Sequence, residues 1–179
     1  MKERKYKEDY RIEVTMDDRG RDRRKAVYQG DDFYLPEGAG HRWTYAAMFA
    51  VYATLYLLYM MMNTPGSHCI YVLPVAACAV IPSAYWAMGL FSMLHSPQKM
   101  TSTQKEKGIG RVMRSAMGCM VLMLTACAGD LIFMSRSGNW AEELPAFALM
   151  ACAGMTALGA FRYVKGIYDA VRVVKHTKE

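Results

Sequence analysis

Charge is missing where a soluble chain would carry it. Between Trp43 and Met62 there is no Lys, Arg, Asp or Glu. About 18 or more uncharged apolar residues in a row mark a candidate membrane helix. Paired thiols are also missing: Cys69, Cys78, Cys119, Cys127 and Cys152 include no CxxC pair, which a thiol–disulfide oxidoreductase would want. No Walker loop, dinucleotide fingerprint, zinc-protease helix or nucleophile elbow occurs. These absences point away from an enzyme and give no reason to expect a cofactor. No apolar core follows a short basic start, as a signal peptide would need.

The mean hydropathy of +0.00 averages two unlike parts. Residues 1–42 hold 11 Lys/Arg and 10 Asp/Glu, whereas residues 43–62 hold neither. Four apolar stretches follow the polar start, at about 43–62, 69–94, 112–134 and 144–161. Each can cross roughly 30 Å of hydrocarbon at about 1.5 Å per residue. All must be helical, because lipid leaves no partner for bare backbone groups. The expected fold is an all-α membrane protein, a four-transmembrane-helix bundle over residues 43–164. A polar segment, 1–42, precedes it and a short tail, 165–179, follows. Trp140 and Tyr163 suit the interface at the ends of the fourth span.

The basic residues set the orientation. Residues 1–42 carry 11, the middle loop and its flanks carry 5 (Lys99, Lys105, Lys107, Arg111, Arg114), and the chain from Arg162 carries 5. The other two loops carry only Arg136. Basic loops stay in the cytoplasm, so both termini and the middle loop are expected there. The pI near 9.1 is therefore a topology signal, and a nucleic-acid partner is not expected. The expected surroundings are a lipid bilayer. Neither Asn63 nor Asn139 lies in a usable glycosylation sequon, which is compatible with a bacterial plasma membrane.

The polar ends have patterns of their own. Tyr10, Ile12, Val14 and Met16 alternate with Arg11, Glu13 and Thr15, and period two predicts a strand. Asp17-Asp18-Arg19-Gly20 is a turn signal, Lys25–Tyr28 reads as a returning strand, and a second turn leads into Phe33-Tyr34-Leu35-Pro36. An isolated hairpin is marginal in water, so its apolar face needs the bundle, a second subunit or another protein. At the other end, Tyr163, Val164, Ile167, Tyr168, Val171 and Val174 share one helical face. That predicts a C-terminal amphipathic helix.

Few residues inside the spans are suited to chemistry. Asp130 lies 16 residues, about 24 Å, from Arg114, and 6 residues, about 9 Å, from Arg136. That depth is the outer third of the third span. An ionisable residue in a span needs water or a partner. His68, Asn63 and Ser67 in the first outer loop are the candidate partners, and Asp130 with His68 is a candidate ion- or proton-coupling pair. Pro74 and Pro82 each remove a helical hydrogen bond, which predicts kinks, the second releasing the carbonyl of Cys78. Tyr45, Tyr52, Tyr56 and Tyr59 share a face of the first span, and their hydroxyls should turn inward to find partners. Ala148, Cys152, Thr156 and Ala160 recur every four residues, a small-residue face suited to close helix packing in the bundle or in a dimer. His68, Cys69 and Met62, with Met60, Met61 and Met134 nearby, form a soft-donor group that copper(I) would favour.

The expected function is non-enzymatic: a small subunit or scaffold of a membrane complex. It would oligomerise with itself or with a membrane or cytoplasmic protein. A small oligomeric transporter or channel around the kinked second helix is the alternative. A membrane redox or copper-handling protein is the third.

Overall fold

Each uncharged run is helical in the computed structural model, which describes residues 10–16, 22–28, 30–34, 40–95 and 99–174. Strands β1 (Tyr10–Met16) and β2 (Asp22–Tyr28) precede a short β3 (Asp32–Tyr34). Helix α1 spans Gly40–Met61. A single 3-10 turn, Gly66–His68, leads to α2 (Leu73–Cys78) and α3 (Val80–Leu94). After β4 (Lys99–Met100) the chain enters α4 (Ser102–Lys105), a π turn over Glu106–Gly110, and α5 (Arg111–Ser137). Helix α6 (Trp140–Ala170) ends in β5 (Arg172–Val174).

Four helical stretches are long and apolar enough to cross a membrane: Arg42–Met61, Leu73–Leu94, Ser102–Ser137 and Trp140–Ala170. Helix α5 packs against both α6 and α3, and α1 packs mainly on α6. Many large apolar residues, among them Leu57, Ile81, Phe91, Ile132 and Met155, face outward. That surface suits lipid rather than water. Gly138 turns α5 into α6: its φ of 73° permits the left-handed cap, and its N–H bonds the carbonyl of Met134 at 3.0 Å.

At one end of the packed helices lies a sheet drawn from three distant segments. Strand β3 pairs antiparallel with β4 (Phe33 opposite Met100) and with β5 (Phe33 opposite Val173). Asp32 forms an ion pair with Lys99 at 2.8 Å. The ammonium of Lys105 lies 4.7 Å from the ring centre of Phe33 and 4.1 Å from that of Tyr168, a double cation–π contact. The polar start, the middle segment and the tail therefore meet at one end. The opposite end holds the Gly66–His68 turn and the α5–α6 connection.

Several expectations need correction. The amphipathic helix does not reach Val174; α6 stops at Ala170, and Arg172–Val174, with two β-branched valines, pairs with β3 instead. The middle segment is not a loop, because a capping box at Thr101 starts a helical stretch at Ser102. Helix α2 begins at Leu73 rather than Cys69. Pro74 sits in its first turn, where a missing N–H costs nothing, and so makes no kink. The hairpin is present, with β2 starting at Asp22 and Tyr10 opposite Tyr28. The turn at Asp17–Gly20, the Leu35-Pro36 pair and the side chains of β1 and β2 lie outside the described residues.

Candidate functional site

The bundle interior is lined by the tyrosines of α1. Tyr45, Tyr52, Tyr56 and Tyr59 are all buried. Two of them meet the break in the second span. Helices α2 and α3 are interrupted at Ala79, three residues before Pro82, whose ring removes the hydrogen bond to Cys78. Ser83 steadies the break: its hydroxyl donates to the carbonyl of Ala79 at 2.7 Å. Tyr52 Oη and Cys119 Sγ lie 3.0 and 3.5 Å from the same hydroxyl. The Tyr56 hydroxyl donates to the carbonyl of Ala76 at 3.0 Å. Cys78 itself faces outward. This cluster is nearly satisfied, as buried polar side chains in folded proteins usually are.

The second polar cluster is not satisfied. At the end away from the sheet, α5 presents Asp130 and α6 presents Glu143, 1% and 0% exposed. Both reach the Gly66 turn. The Gly66 N–H donates to Oε1 of Glu143 at 2.6 Å. A Cβ built on Gly66 would lie 2.5 Å from Asp130 Oδ1 and 2.6 Å from Glu143 Oε2. Two carboxyl groups thus converge on one glycine from different helices. Among the described residues, neither oxygen of Asp130 has a hydrogen-bond partner, nor does Glu143 Oε2, nor the hydroxyl of Tyr59. No Lys, Arg or His among the described residues forms an ion pair with either acid.

His68 does not join Asp130. It is exposed and bonds Asn63 through Nε2 at 2.5 Å. The turn explains this: Ser67 Oγ donates to the carbonyl of Thr64 at 2.7 Å, which fixes a tight 3-10 loop with Gly66 inward and His68 outward. Cys69 and Met62 are only partly buried. No three His, Cys, Asp or Glu side chains among the described residues are placed to hold a metal ion. Of the expected small-residue face of α6, Ala160 is buried, Thr156 is half-buried, and Ala148 and Cys152 point outward. The helix contact inside the bundle uses Ala153, Gly154, Ala157 and Ala160.

Glu143 is the residue that sequence reasoning missed. Its signal was the continuation of a buried face backward past the apolar run: Glu143, Ala146, Met150, Ala153, Ala157, Ala160 and Val164 follow helical spacing and are all buried.

No family model, no curated protein and no solved structure matches this chain.

Proposed function

We propose that this chain is a small, non-enzymatic integral membrane subunit or scaffold that docks a cytoplasmic protein through its N-terminal hairpin. The supporting observation is the sheet β4-β3-β5. It gathers the polar start, the middle segment and the tail into one platform. Those segments carry 21 of the 22 Lys and Arg residues, so the platform end is the cytoplasmic end in this reading. Hairpin β1–β2 leads into that platform through β3. A two-stranded ribbon is marginal alone, and β1 and β2 form a sheet of their own, separate from the platform. A partner protein would supply the missing support. Such partners, and further copies of the chain, make up the expected complex in a plasma membrane.

The test is native purification of the full chain in mild detergent beside a variant lacking residues 1–28, which spares β3. A cytoplasmic protein recovered in fixed ratio with the full chain, and lost with the deletion, is the expected result. Equal recovery from both, or none from either, overturns the reading.

A further inference from the structure

We propose that Asp130 and Glu143 form a two-carboxyl site that binds one exchangeable proton and latches the Gly66 turn onto α5 and α6. Three independent observations meet here. The acids are buried, at 1% and 0% exposure. Three of their four oxygens are unpartnered, and the fourth takes the Gly66 N–H. A third polar side chain, Tyr59 from α1, is 2% exposed and also unpartnered, and it lies within electrostatic reach of both acids.

Two negative charges side by side in a water-poor site repel each other and lose solvation. One bound proton removes half of that charge and supplies the donor that the free oxygens lack. The packing argues for the smallest ligand. Even a Cβ on Gly66 would come within 2.6 Å of both carboxyl groups. A hard cation such as calcium takes six to eight oxygens at about 2.3–2.6 Å, and the two acids with one phenol fall short of that set.

The surrounding titratable groups do not neutralise the pair. Tyr59 lies within electrostatic reach of both acids, and Cys127 on α5 and Tyr71 in the loop before α2 within reach of Asp130. Arg136, Glu142 and His68 are exposed at the same end. When the proton leaves, both acids become anionic beside one glycine. Repulsion then favours release of the turn, with Glu143 losing its place under the Gly66 N–H.

Infrared titration of the full chain in liposomes, from about pH 4 to about pH 9, tests this, since buried carboxyls titrate across that range. The wild type should keep a carboxylic-acid C=O band that disappears in one step within that window. Asp130→Asn and Glu143→Gln should each displace that step by at least one pH unit, because each removes the neighbouring charge that couples the two groups. Glu143→Gln keeps an acceptor for Gly66, so it carries the test if Asp130→Asn does not fold. Exchange of the Gly66 amide should quicken above the step. A wild type with no such band, or a step unmoved in a folded variant, overturns the proposal. So does an equimolar cation retained on purification and lost in Glu143→Gln.

Discussion

Gly66 and Glu143 are 77 positions apart, yet a hydrogen bond of 2.6 Å joins the backbone of one to the side chain of the other. It ties the first helical hairpin to the second at the end away from the sheet. Removing the acceptor should leave a buried N–H without a partner, which costs about 1–3 kcal/mol. Glu143→Ala should therefore lower the melting temperature in detergent well below that of Glu143→Gln, whose amide oxygen still accepts. Equal loss in both variants would show that the bond does not support the fold.

Gly66 also leaves no space for a side chain. A Cβ there would lie 2.5 and 2.6 Å from oxygens of Asp130 and Glu143. Overpacking of this kind costs about 1–3 kcal/mol. Gly66→Ala should destabilise the bundle by that amount, and Gly66→Ala combined with Asp130→Ala should recover part of it. Thermal unfolding of the two variants in one detergent decides the point. No recovery would mean that Asp130 can turn away freely.

At the helix break, Tyr52, Ser83 and Cys119 share one hydroxyl centre. Tyr52→Phe should cost about 1 kcal/mol, the usual net value of one hydrogen bond. A double-mutant cycle with Ser83→Ala should give a coupling of about 0.5 kcal/mol or more, since the groups touch. Additive losses would place the two residues in separate roles.

Lys99 gives a pH test at the sheet. Its hydrogen bond to Asp32 holds the ammonium above the usual lysine pKa. The folded value is the raised one, so the pairing is fully present below the ordinary lysine value of about 10.4 and is lost as pH rises through the folded value. Lys99 is half-exposed, so the effect on stability is small. An NMR titration of its side-chain carbons should show a midpoint above that of a free lysine, returning to the ordinary value in Asp32→Asn. A midpoint already ordinary in the wild type would contradict the pairing.

The helices were legible because lipid-compatible runs are long and uncharged, and Trp43–Met62 needs no structure to be read as helix. The buried tyrosine face of α1 was legible from its helical spacing, and of its four hydroxyls Tyr52 and Tyr56 find partners. The sheet β4-β3-β5 was not. Its strands are two or three residues long and come from segments more than 60 residues apart, beyond the reach of local periodicity. By its place in the first outer loop, His68 is a sequence candidate to partner Asp130. What decides its place is the geometry of the Thr64–Ser67 turn, which points it outward. The apolar run starts at Leu144, whereas the helix starts at Trp140 and so takes in Glu143. One further helical turn moves a carboxyl from water into the core.

Protease protection in sealed, right-side-out vesicles tests the central claim most directly. Tags at both termini should survive external protease, while a tag inserted at the exposed Gly138–Asn139 turn should be cut. The sheet end then lies inside and the Asp130–Glu143 end faces out. Termini found on opposite sides, or a protected tag at the turn, would contradict the four-pass arrangement with the basic platform in the cytoplasm.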